Sequence, residues 1–324
     1  MKLRRTTRQT DAPRLEILAP HGWVSLDAAL AQMPGRPDVR CPHDAIALLA
    51  LPHDVQAAIA DAAKDVEPSD SRAARGCLPF EPRSFRDFML YEAHAIDAAR
   101  GFARRFMPTA ARITDAYERV TRRTFPALKP SALWYRQPIY YFGNHLNFAS
   151  DGEDISCPSY TRALDYELEL GFFLAHPLRN ATPDEAERAI GGFVILNDFS
   201  ARDVQLAEMR SGFGPQKSKH FANAMSAVIV SADEILPRWR GLTASVTING
   251  AEVEVAACTT AGARYTLGEA LAHASRDEQL HPGELFGTGT LPGGSGIEAG
   301  RLLQRSDTVT LSIDGLGTLT NRIV

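Results

Sequence analysis

The chain has 324 residues, 44% hydrophobic and 23% charged, which is ordinary for a globular protein and gives a prior of two domains at about 150 residues each. A mini-scaffold, a collagen-like chain and long disorder are excluded. With a formal net charge of -4 the general field favours neither nucleic acid nor an anionic membrane, and neither is expected as a partner.

The opening MKLRRTTRQTDAPR is basic but leads into no apolar run, so it does not qualify as a signal peptide. Strand-like LEILAP and GWVSL follow, then AIALLAL over 45–51, far short of the ~20 apolar residues that cross a bilayer. A helix is predicted in DVQAAIADAAKDV. The polar stretch EPSDSRAARG then marks a boundary, giving a small β-containing N-terminal domain over 1–78 and a larger domain over 79–324. Cys41, Cys77, Cys157 and Cys258 are far apart and form no CxxC. Neither a zinc knuckle nor a disulfide framework is indicated, and a reduced, cytoplasmic setting is the simplest expectation.

From LPFEPRSFRDF onward the texture becomes a helical segment, with Ser84 and Asp87 at capping-box spacing, and then many short apolar strands punctuated by Gly and Pro. Thr182, Pro183 and Glu185 predict a capped helix over 183–190. GGFVILND reads as a buried strand ending at Asn197 and Asp198, followed by a helix with Ser200 as N-cap and Asp203 three residues on. Asn249-Gly250 separates two alternating runs, a strong hairpin signal. Thr266 and Glu269 cap a further helix, and the last segment alternates and turns at Asp314-Gly315. The fold class is α+β, predominantly β, with a few helices packed on the sheets.

In LDYELELGFF, Glu167 and Glu169 are two apart, so on a strand both carboxylates leave one face. Such a pair is either a solvated face or a site for a cation or a shared proton, and the flanking leucines and GFF make a wet face less natural. Asp198 at the next strand end is either an Asx-turn acceptor or a third oxygen ligand. Together the three suit a hard cation, Mg²⁺, Mn²⁺ or Ca²⁺, rather than zinc. Arg202 and Gln205 share a helix face beside Asp198 and would hold an anionic or carbonyl oxygen, unless they are ordinary surface residues. Lys217 and Lys219 lie in the loop GPQKSKHFANAM. GELFGTGTLPGGSG reads as a Gly-rich loop without the GK[ST] ending of a P-loop, and nucleotide binding is not supported.

Taken in order, LDYELEL, NDFSARDVQ, GPQKSKHFA and HPGELFGTGTLPGGSG resemble the fumarylacetoacetate hydrolase (FAH) superfamily over about residues 80–324. The resemblance implies a C-terminal domain of mixed β-roll type, a homodimer, and a divalent cation held by carboxylates. It assigns Glu167, Glu169 and Asp198 to the metal, with Asp87 as a fourth ligand and His94 as the catalytic base seven residues later. Arg202, Gln205 and Lys219 match positions that stabilise oxyanion and enolate, Glu298 the acid that orients the histidine, and Thr290 and Tyr141 substrate contacts. Met89 stands where the eukaryotic enzyme has a tyrosine, and His220 is a second departure.

The resemblance therefore implies a metal-dependent hydrolase that cleaves a carbon–carbon bond in a 2,4-diketo acid, fumarylacetoacetate- or acylpyruvate-like, in aromatic or sugar-acid catabolism. Rivals are a decarboxylase, isomerase or dehydratase of a 2-keto acid on the same scaffold and, further off, a Mg²⁺-dependent nuclease or a binding protein.

Overall fold

The computed structural model describes residues 1–7, 12–33, 44–69, 75–255 and 257–324. Cys41 and part of the stretch expected to hold the domain boundary lie outside these residues.

A large twisted sheet organises the chain. Its main path uses strands β1 (Lys2–Thr7), β2 (Arg14–Ala19), β3 (Gly22–Ser25), β4 (Phe85–Phe88), β5 (Tyr140–Gly143), β6 (Glu167–Leu174), β7 (Ile190–Asn197), β8 (Val228–Ser231) and β9 (Leu285–Ser295), in the spatial order β3-β2-β1-β8-β7-β6-β9-β4-β5. The N-terminal segment is part of it, because β1 pairs antiparallel with β8, Leu3 opposite Ile229. A second sheet of five strands is built from Ala251–Glu252, Ala244–Ile248, Thr308–Ile313, Gly317–Ile323 and Asp154–Ile155.

β6 lies deep in the large sheet and is buried along its whole length. Antiparallel neighbours flank it on both edges, β7 on one and β9 on the other. The period of two divides its side chains between two cores. Leu168, Leu170, Phe172 and Leu174 join the core shared with the second sheet and the helix Leu267–Ala274, whereas Phe173 packs with Leu3, Ile17 and Leu30 of the N-terminal segment. Both faces are covered, so the strand reads as a nearly continuous apolar run interrupted by its acids. Gly171 admits the crowding, since a Cβ there would lie 2.6 Å from Leu196 Cγ.

The turn chemistry follows the sequence. Capping boxes close at Thr182/Glu185 and Thr266/Glu269, and Asn249 and Gly250 both take positive φ in a two-residue hairpin turn. Three expectations change. The segment Phe85–Phe88 is a buried strand, and Ser84 caps nothing; its hydroxyl donates to Glu284 Oε2 at 2.7 Å, and the helix α1 (Glu92–Phe106) begins later. Ser200 belongs to a two-residue bridge with Leu164–Asp165, so helix α2 (Arg202–Arg210) starts without a side-chain cap and Asp203 instead accepts from Thr161 Oγ1 and Arg162 N. The Gly-rich run is strand β9 rather than a loop, its glycines serving close approach between strands. A four-residue helix α3 (Gly296–Ala299) follows it directly. Among the described residues no helix is long and apolar enough to cross a membrane.

Thr266→Ala should remove one half of a capping box and lower stability by about 1 kcal/mol, read as a shift of the urea midpoint with an unchanged slope. An unshifted midpoint would show that tertiary packing alone holds this helix.

Candidate active site

Three strands deliver carboxylates to one point. Asp87 comes from β4, Glu169 from β6 and Asp198 from the position that directly follows β7, and one oxygen of each lies within 4.8 Å of the others. Asp87 Oδ1, Glu169 Oε2 and Asp198 Oδ1 are buried with no hydrogen-bond partner. Room for them is made by Gly287, which pairs with Asp87 on one side and Gly171 on the other; a Cβ there would lie 2.4 Å from Asp87 Oδ1 and 2.5 Å from Glu169 Oε2. Orphaned oxygens of three acids around a side-chain-free position fit a hard divalent cation. Burial, then the charges of the neighbouring acids, pushes the Asp87 and Glu169 carboxyls well above the usual range.

Glu167, expected with Glu169 and Asp198 among the first three ligands, is not in this cluster, whereas Asp87, expected as the fourth, is. The β6–β9 register shifts on both sides of Glu169 because β9 carries the extra residues, and Glu167, one step along β6, meets a different set of partners. Arg202 Nη2 donates to Glu167 Oε1 at 2.6 Å, and Lys219 Nζ donates to Oε2. Burial would raise its pKa, but the Arg202 and Lys219 charges prevail and hold it far below the ordinary carboxylate value. Lys219 also donates to Asp198 Oδ2 at 2.5 Å, and Tyr141 Oη reaches the same oxygen at 2.5 Å. Although burial disfavours the Lys219 charge, Asp198 and Glu167 hold it on the ammonium.

The remaining expected residues gather around this centre. Gln205 Oε1 accepts from Arg202 Nη1 at 2.9 Å, one helical turn along α2, and Thr290 Oγ1 lies 3.4 Å from Glu169 Oε1 across the β6–β9 pair. His94, buried on the first turn of α1, faces Glu298 Oε2 through Nδ1 at 3.0 Å. Because a carboxylate can only accept, Nδ1 carries the proton and Nε2 presents a lone pair, 3.9 Å from Glu167 Oε1. Glu298 is fixed in turn by Ser295 Oγ at 2.6 Å and Gly293 N at 3.1 Å. His220 lies outside this arrangement, its Nε2 on the Phe142 carbonyl at 3.1 Å, and Lys217 is an exposed loop residue whose ammonium stands over Tyr160.

Asp165, Ser295 and Gly287 escaped the sequence reading. Asp165 was visible as the first member of an acid repeat of period two, 165, 167 and 169, whereas nothing in the sequence distinguishes Gly287 from the other glycines of its run.

Residues 111–324 match the sequence profile described as fumarylacetoacetate (FAA) hydrolase C-terminal. A 4-hydroxyphenylacetate degradation bifunctional isomerase/decarboxylase of Escherichia coli is 26% identical over 250 residues, covering 70% of this chain and 55% of that protein. An oxaloacetate tautomerase of Escherichia coli (strain K12) is 27% identical over 189 residues, 58% of this chain and 82% of that one. The chain thus spans about half the length of the first relative and most of the second. Among solved structures, a fumarylacetoacetate hydrolase from Exiguobacterium antarcticum superposes with a TM-score of 0.68 at 20% identity over 100% of this chain and 99% of the other, a likeness of fold. With two thirds of its length matched by the profile, the chain belongs to the fumarylacetoacetate hydrolase family.

Proposed function

We propose that the protein is a divalent-metal-dependent hydrolase that cleaves the carbon–carbon bond of a 2,4-diketo acid. The observation that carries this reading is the His94–Glu298 pair, a buried imidazole whose other nitrogen lies 3.9 Å from Glu167. Asp87, Glu169 and Asp198 would hold the cation, Mg²⁺, Mn²⁺ or Ca²⁺, which supplies Lewis-acid polarisation of the keto-acid oxygens when bound.

His94 Nε2 takes a proton from water, and the hydroxide adds to the C4 carbonyl. Arg202, Gln205 and Lys219 place donors and positive charge where the oxyanion forms. As the C3–C4 bond breaks, its electron pair passes to C3 as the enolate of pyruvate, which recovers the proton from His94, while C4 leaves as the carboxylic acid. Tyr141 and Thr290 border the acids and would contact substrate, and Glu167 holds Arg202 and Lys219 in place. A homodimer in the cytoplasm is part of the same proposal. A second reading, tautomerisation or decarboxylation of a 2-keto acid, is favoured by the activities named for the two Escherichia coli relatives. That chemistry needs enolate stabilisation but no water attack.

Glu169→Ala should abolish calorimetric binding of Mg²⁺ and Mn²⁺, and Gly287→Ala, whose methyl would occupy the space between the acids, should weaken it. Undiminished titration in Glu169→Ala would remove the cluster as the cation site.

Because the Asp87 and Glu169 carboxyls are raised, these two groups hold their protons to higher pH in the cation-free fold than in the unfolded chain. The contribution of these two groups to stability is fully present below the ordinary carboxylate pKa and is lost as pH rises through the raised values. The rise in thermal midpoint on adding Mn²⁺ should therefore be larger at about pH 8 than at about pH 5.5. An equal rise at both would contradict the raised position of these two carboxyls.

His94→Ala should keep the cation and lose ~10² to 10⁴ in acylpyruvate hydrolysis. Wild-type turnover in ¹⁸O water should label the released carboxylate. Unlabelled product with evolved carbon dioxide would establish the decarboxylase reading instead.

A further inference from the structure

Asp165 is fully buried and takes no part in the steps above, yet one of its oxygens joins the two halves of the site. Its Oδ2 accepts from Arg202 Nε at 2.7 Å and from the backbone N–H of Ile297 at 3.0 Å, while Oδ1 accepts from Tyr166 N at 2.9 Å. Arg202 is the cation that meets Glu167 and Gln205. Ile297 precedes Glu298 in α3, and Glu298 holds the His94 ring.

The carboxylate stands on backbone that is itself paired. Its backbone bridges Ser200 opposite, Arg202 N donates to the Ala163 carbonyl, and Leu303 N donates to the Leu164 carbonyl, so the segment is tied on both sides. Gly296 presses from the helix side: a Cβ there would lie 2.3 Å from Asp165 Oδ1 and 2.3 Å from the Arg301 carbonyl. The first turn of α3 therefore approaches this acid more closely than any side chain at 296 would permit.

We infer that Asp165 is a positioning residue, whose single oxygen sets the spacing between the Arg202 guanidinium and the Glu298–His94 pair. This rests on the roles given to those two arms above. Loss of the Asp165 charge releases Arg202 Nε toward Glu167 and lets the Ile297 turn relax, so both arms shift together although they contact different parts of the site.

The test uses two readouts that need no turnover, in the full chain loaded with diamagnetic Mg²⁺. The first is calorimetric affinity for oxalate, whose planar edge mimics an enolised 2-keto acid. The second is the Nδ1 proton resonance of His94, which reports its bond to Glu298. Asp165→Asn, which keeps the shape, should weaken oxalate by on the order of tenfold and move the His94 resonance upfield, with cation affinity retained. In an Arg202→Ala background the same substitution should leave oxalate affinity within about twofold, because the arm it acts through is gone. If Asp165→Asn yields too little folded protein, Gly296→Ala displaces the same contact from the helix side and should give the same paired change. A shift in oxalate affinity with an unmoved His94 resonance would reduce Asp165 to a partner of Arg202 and overturn the inference. Should the wild type fail to bind oxalate, the functional reading falls instead, and the His94 resonance in Asp165→Asn still decides the positioning role: unchanged, it overturns it.

Discussion

Five buried carboxylates, Asp87, Asp165, Glu167, Glu169 and Asp198, share the interior with two fixed cations, Arg202 and Lys219, and the rest of the site is arranged around that imbalance. Taking ionised groups out of water costs several kcal/mol apiece unless each finds a partner. The cations divide their attention unequally. Asp165 and Glu167 take Arg202, Glu167 and Asp198 take Lys219, and Asp87 and Glu169 receive neither. The uncompensated charge is concentrated at one spot, which is where a divalent cation would be most strongly held.

The strands explain how acids came to be buried at all. A β6 with neighbours on both edges and apolar cores on both faces offers no route for its side chains to reach bulk solvent. Its leucines and phenylalanines drive the burial, and the glutamates are carried in with them. The folding free energy supplied by the apolar alternation thus sustains the electrostatic strain of the site, as expected where function departs from local stability rules.

Much of this was legible in the sequence. Capping boxes, the Asn-Gly hairpin and the strand that ends at Asn197 just before Asp198 obey local chemistry and appear where residue spacing put them. The convergence of His94 with Glu298 and of Asp87 with Glu169 rested on family likeness, because contacts between residues far apart in the chain leave no local trace. Local reading failed where tertiary context prevailed. FRDF became a strand because β9 and β5 were available to pair with it, and the two glutamates differ in role because Arg202 and Lys219, distant in the chain, both take Glu167 and leave Glu169 to the other acids.

The placement of the acids on interior strands also divides the molecule by its capacity to change. Asp87, Glu169 and Asp198 stand on backbone locked by hydrogen bonds to neighbouring strands, so insertions or slips there would dismantle the sheet. His94 stands on a helix and Lys219 on a turn, at the periphery of that framework. Such a construction separates acids whose positions the sheet dictates from neighbouring side chains that a substitution can change without dismantling it. Isomerase, decarboxylase, tautomerase and hydrolase can then diverge as variations at the margin of one fixed cradle.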